Sequence, residues 1–154
     1  MGRRPDIMFV TKENNKIYEL MYAECSRIFC TERKKNDDKV KLWRITNDGM
    51  YLVHKTRRPE KGNFGIIGIQ VAGEKLRLNV LIRDEVEVHR YYKLHESDIP
   101  IRYSDDPIII AEFIRTLLIL RNILLVNVSL LRSAHVRRSS RIIENSSTVS
   151  SDIE

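Results

Sequence analysis

The sequence predicts a mixed α/β (α+β) fold: a sheet of about five strands, a basic helix after the second strand and a long C-terminal helix. Three observations lead there. Two hairpin-like pairs of apolar runs flank a segment of helical periodicity. The most apolar stretch of the chain follows a strong helix start, Ser104-Asp105-Asp106-Pro107. At 154 residues, 42% hydrophobic and 31% charged, the chain has the size and composition of one ordinary globular domain, read here as 1–133.

The elements follow in order. Arg4-Pro5-Asp6 opens the apolar run Ile7, Met8, Phe9, Val10, and a second run covers 17–26. These read as strands over 6–12 and 17–26, joined at Asn14-Asn15, residues that tolerate positive φ. A period of two places Tyr18, Leu20, Tyr22, Glu24 and Ser26 on one face, with Met21, Ala23 and Cys25 on the other. A helical reading competes, because Ile17, Leu20, Met21, Cys25 and Ile28 also fall at helical spacings; the strand through Cys25 is preferred. From Thr31 or Glu32 to about Lys55 the pattern is helical, with Val40, Trp43, Asn47, Met50 and Val53 as its stripe and lysines over much of the remainder. Gly49 marks a kink or a close approach, and 57–63 reads as a loop.

A second hairpin occupies 64–71 and 76–82, with Leu76, Leu78 and Val80 facing one way and Arg77 and Asn79 the other. Gly65 and Gly68 mark bulges or close approach. Residues 88–94 form a further strand, and the closing helix runs from Pro107 to about Ser133. That helix is apolar on most sides (Ile109, Ile110, Phe113, Leu117, Leu118, Leu124, Leu125, Val128), so it needs cover on most sides. A sheet supplies one side; a second copy of the chain or a protein partner docking on 107–133 is expected to supply another. The Ser- and Arg-containing segment 134–154 reads as a disordered tail.

Composition excludes several classes. The start of the sequence has no apolar signal core, and Glu112, Arg115 and Arg121 in the apolar helix argue against a membrane span, so an intracellular protein is expected. Cys25 and Cys30 have no second ligand pair, and the histidines are scattered, so the thiols read as free and no zinc site is expected. No phosphate-binding glycine loop, Ser-His-Asp order or Cys-His pair is present. Positive charge is concentrated: residues 1–63 hold 15 Lys and Arg against 9 Asp and Glu, whereas the rest of the chain balances. Such an excess suits a polyanion, with a solvated helix face as the competing reading.

The residues that carry chemistry are Asp6 and Glu24, carboxylates at the ends of two neighbouring strands. Two such groups hold Mg²⁺ or Mn²⁺ beside a phosphate; surface carboxylates are the alternative. The arrangement resembles the PD-(D/E)XK nuclease superfamily, whose signature is an Asp before one strand and a Glu-x-Lys on its neighbour. Here the lysine position holds Ser26. The chain is also similar to nuclease-like proteins expanded in arbuscular-mycorrhizal and related fungi. That likeness spans roughly 4–133 and includes the charged segment Asp37-Asp38-Lys39-Val40-Lys41-Leu42-Trp43 and Ile99-Pro100.

The resemblance implies a restriction-endonuclease-like fold that lacks the superfamily's first helix and strand, as if this were the C-terminal part of a larger ancestral protein. It implies Asp6 and Glu24 as metal ligands and catalytic groups, with Ser26 at the third catalytic position. A substitute lysine would come from the next helix (Lys34, Lys35 or Lys39), and Lys34, Lys35, Lys39 and Lys41 would contact nucleic-acid phosphates. The expected function is a divergent, metal- and nucleic-acid-binding nuclease-like domain, active or degenerate. The alternative is a non-enzymatic interaction module that uses the apolar C-terminal helix.

Overall fold

Asn14 and Asn15 both adopt positive φ (50° and 61°), the two-residue turn that matches the twist of a hairpin. They join strand β1 (Ile7–Glu13) to β2 (Lys16–Cys25), which pair antiparallel with a bulge between Phe9 and Val10. The computed structural model describes residues 4–60, 62–84, 86, 88–102 and 106–136. Within them follow helix α1 (Glu32–Thr56), β3 (Arg57–Arg58), β4 (Gly65–Ala72), β5 (Lys75–Arg83), β6 (His89–Asp98), α2 (Pro107–Ser133) and β7 (His135–Val136). The main sheet has five strands in the order β1-β2-β4-β5-β6. Neighbours are antiparallel except β2 and β4, whose parallel pairing is made possible by the α1 crossover.

The expected mixed sheet, basic helix and long closing helix are therefore all present. Two short segments differ from the sequence reading. Arg57–Arg58, read as loop, pairs with His135–Val136, read as the start of the tail. The Arg57 side chain is buried and donates to the Ala134 carbonyl at 3.1 Å, which holds the two segments together. Ser104, Asp105 and the tail beyond Val136 lie outside the described residues.

Each sheet face packs a helix. On one face Tyr18, Leu20 and Tyr22 of β2, Ile66 of β4 and Leu81 of β5 meet Leu42, Met50 and Val53 of α1. On the other, Met21, Ala23, Ile67, Ile69, Leu76 and Leu78 meet Phe113, Ile119, Leu120 and Ile123 of α2. Alternation in β2, β4 and β5 feeds both cores, and β4, the middle strand of the five, is buried almost throughout. The α1 stripe is rotated from the one the sequence suggests: Leu42, Thr46, Gly49, Met50 and Val53 are buried, whereas Val40 and Trp43 are 47% and 48% exposed. Gly49 sets this rotation. A Cβ there would stand 2.5 Å from the Tyr22 hydroxyl oxygen, so only glycine lets the buried Tyr22 ring slide beneath the helix.

Helix ends are capped by sequence. Thr31 Oγ1 accepts from the Lys34 N–H at 3.2 Å, and Asp106 accepts from the Ile108 N–H at 2.9 Å with Pro107 opening α2. Thr31→Ala is expected to cost about 1 kcal/mol in urea unfolding, while Thr31→Ser leaves stability nearly unchanged. Two buried polar groups anchor α2. Thr116 bonds Ser97 (3.0 Å) and His95 (2.8 Å) of β6, and Asn127 bonds both backbone groups of Gly65. The side of α2 turned from the sheet leaves Ile110, Ile114, Leu118, Leu125 and Val126 exposed. Among the described residues, no helix is long and apolar enough to cross a membrane.

Candidate functional site

The α1-facing side of the sheet changes character along its length. Where α1 ends, it is apolar; where α1 begins, it is polar. Strand register produces the change, because Glu24 pairs with Gln70, Gln70 with Arg77, and Arg77 with Glu96, one polar residue from each of four successive strands. This row lies at the carboxyl ends of the parallel strands β2 and β4, where α/β sheets commonly place ligands. The first turns of α1 lie over it. Gln70 Nε2 donates to the Lys35 carbonyl at 2.7 Å, and Ser26 N–H donates to the Val71 carbonyl at 2.8 Å.

Glu24 and Asp38 are the buried acids here. Lys41, on α1, brings its ammonium to 2.6 Å from Glu24 Oε1, the glutamate side chain being 4% and the lysine 23% exposed. Lys41 also donates to the Arg4 carbonyl at 3.1 Å, tying the segment before β1 to α1. Burial raises the Glu24 pKa above the ordinary glutamate value; Lys41 opposes the shift, and the charges of Asp6 and Asp38 reinforce it. Asp38 is held by Ser26, whose Oγ donates to Oδ2 at 2.5 Å, and by Lys34 one helical turn away. Asp6 stands at the mouth of β1, where Oδ2 accepts the Cys25 N–H at 2.7 Å. Cys25 is exposed; partial desolvation, then the charges of Asp6 and Glu24, raise its thiol pKa.

Asp6, Glu24, Ser26, Lys34 and Lys41 thus share one end of the sheet with Asp38. The lysine that meets Glu24 is Lys41, which sequence reasoning had placed among phosphate contacts; Lys34, Lys35 and Lys39 go elsewhere. Lys34 pairs with Asp38 and Lys35 with Glu32 at 2.5 Å. Lys39 has no carboxylate partner among the described residues and lines a cavity with Gln70 and Arg77. Gln70 and Arg77 were not expected at the site. Their signal was a polar residue on the α1-facing side near the end of an otherwise apolar strand.

As a metal centre, the donor set is small. Among the described residues, no three His, Cys, Asp or Glu side chains stand together as a metal-holding group. Asp6 and Glu24 offer the hard carboxylate oxygens that Mg²⁺ takes one or two at a time, with water and phosphate oxygens completing its shell. That chemistry fits, on the condition that an incoming cation displaces the Lys41 ammonium from Glu24. No protein-family model, curated protein or solved structure matches the chain.

Proposed function

We propose that the chain is a divergent PD-(D/E)XK-like domain that binds nucleic-acid phosphates and a divalent cation at the polar end of its sheet. The observation that supports this most directly is the meeting of Asp6, Glu24 and the Lys41 ammonium at the carboxyl end of β2. Asp6 and Glu24 would hold Mg²⁺ or Mn²⁺, which supplies charge neutralisation at phosphate oxygen and a more acidic water. Lys41 brings from the helix the positive charge that Ser26, bonded to Asp38, lacks. On release from Glu24 its ammonium is free to pair with a phosphate oxygen. Lys39 extends the positive surface, whereas Lys34 and Lys35 act mainly as partners of Asp38 and Glu32.

The test is cleavage and binding of labelled DNA and RNA in Mg²⁺ and Mn²⁺, with wild type beside Glu24→Ala. Metal-dependent cleavage lost in the variant is the expected signature of a nuclease. A degenerate site would instead bind without cutting, with a log–log salt slope of about −2 to −3 for two to three phosphates neutralised. Neither cleavage nor salt-sensitive binding from folded protein would overturn the proposal.

The exposed apolar side of α2 supports a second reading, an interaction module that pairs with another copy of the chain through 107–133. Concentration-dependent mass in light scattering, lost on Leu118→Glu, is its expected result; a monomer at all concentrations would rule it out.

A further inference from the structure

Between α1 and strands β4, β5 and β6 lies a cavity of about 370 Å³ lined by Lys39, Gln70, Arg77, Asn79, Tyr91 and Lys93. Every lining side chain carries a hydrogen-bonding group, although the cavity directly adjoins the apolar core to which Tyr91 belongs. The register explains the location: Gly68 pairs with Asn79 and Asn79 with Lys93, a second polar row beside that of Gln70 and Arg77. Gly68 keeps the cavity floor open. A Cβ on it would stand 2.3 Å from the Tyr91 hydroxyl oxygen.

Two features point to an anion. The first is charge. Lys39 has no carboxylate partner among the described residues; Arg77 meets Glu96 through Nε at 2.6 Å, and Lys93 lies 3.6 Å from that same carboxylate. Three cations therefore share one acid. Glu32, also within electrostatic reach of Arg77, is paired with Lys35. The second is the Tyr91 hydroxyl, whose oxygen is buried without a hydrogen-bond partner. Such orphans are rare in native proteins and call for an explanation. Burial raises the phenol pKa and the neighbouring Asn79 side chain opposes the shift, so at neutral pH the group is an O–H donor.

We propose that this cavity binds a phosphate monoester, with Lys39, Arg77 and Lys93 neutralising the dianion and the Tyr91 hydroxyl donating to one of its oxygens. A monoester matches the excess of roughly two positive charges, and its single ester link needs one exit from a pocket floored by Tyr91. An internal phosphodiester has one charge and two links to thread. A cavity of this size lies within the range that encloses small ligands. The cavity shares Lys39 with the positive surface proposed above, but it needs neither the Asp6 and Glu24 pair nor a divalent cation, so a test without metal can fail apart from that reading.

The test is calorimetric titration of the full chain in EDTA, so that no divalent cation takes part. The titrants are inorganic phosphate, adenosine, adenosine monophosphate, and one oligonucleotide with and without a 5′-phosphate. Saturable binding of phosphate and the monophosphate, but not of adenosine, is expected. Lys39→Gln and Lys93→Gln should each weaken it about tenfold. Tyr91→Phe should weaken it several-fold while the melting temperature holds or rises, since the orphan hydroxyl is gone. Lys12→Gln, the same charge loss on β1, should leave affinity unchanged.

The oligonucleotide pair separates the sources of the monoester. A preference for the 5′-phosphorylated strand assigns the cavity to strand ends, and tight monophosphate binding without that preference assigns it to a free small molecule. Absence of saturable binding by wild type would overturn the proposal. So would an equal loss in Lys12→Gln and Lys93→Gln, or full affinity in Tyr91→Phe.

Discussion

Lys41→Met is expected to destabilise the fold by about 3–5 kcal/mol at neutral pH, because it strands the buried Glu24 charge. The loss should depend on pH with a definite sign. The folded-state pKa of Glu24 is raised, so the folded state holds its proton more tightly than the unfolded chain does. Stability contributed by that proton is fully present below the unfolded value of 4.5 and is lost as pH rises through the folded one. Without Lys41 the folded value climbs further, and the penalty at pH 8 should exceed that at pH 5. Urea unfolding of wild type and variant at both values checks this. The double variant Lys41→Met/Glu24→Leu should recover most of the loss, since an apolar pair of similar size fills the space of a buried ion pair without the desolvation cost. Equal destabilisation at both pH values, or no recovery in the double variant, would show that Lys41 matters for packing and not for charge.

Asn127→Ala should be nearly as damaging, by about 2–5 kcal/mol, for a different reason. Asn127 is 1% exposed; its amide donates to the Gly65 carbonyl at 2.5 Å and accepts the Gly65 N–H at 3.2 Å. Described pairing between β2 and β4 begins only at Met21 and Ile67, so this side of Gly65 lies beyond the parallel ladder. The side-chain amide stands in for a neighbouring strand. Alanine leaves a buried N–H and a buried C=O without partners, and hydrogen exchange at Gly65 should accelerate well beyond that of Ile67. Unchanged protection at Gly65, with a loss under about 1 kcal/mol, would count against this anchoring role.

How much of this was legible in the sequence depended on whether the determinant was local. Asn14-Asn15 predicted its own turn, Pro107 its helix start, and the alternation of Leu76, Arg77, Leu78 and Asn79 the two faces of β5, because each signal lies within a few residues of the structure it sets. The α1 stripe was misjudged because Val40 and Trp43 are more apolar than Thr46 and Gly49. What decides the buried face is the Tyr22 ring, delivered from β2 against a residue with no side chain. Pairing of Arg57–Arg58 with His135–Val136 joins segments far apart in sequence, which no local pattern records.

The candidate site divides the same way. Asp6 and Glu24 stood out as carboxylates at the start of one apolar run and the end of the next, and Ser26 followed from Glu24. That Lys41 meets Glu24, while Lys34 and Lys35 turn to Asp38 and Glu32, depends on how α1 lies on the sheet. Lys34, Lys35, Lys39 and Lys41 lie within a span of seven positions, about two turns of helix, too little for sequence spacing to choose among them. Gln70 and Arg77 looked like ordinary polar positions until strand pairing aligned them with Glu24.

That alignment has a consequence for folding itself. A slip of β5 by a single residue along β4 would turn Leu76 and Leu78 toward the lysines and push Arg77 beneath α2, among Phe113 and Ile119. A comparable slip of β2 would drive Glu24 into that same apolar layer. Each misthreaded sheet would bury an uncompensated charge, at a cost that rules it out as a competitor of the native pairing. The polar end of the sheet thus proofreads the assembly of its own strands, whatever it later binds.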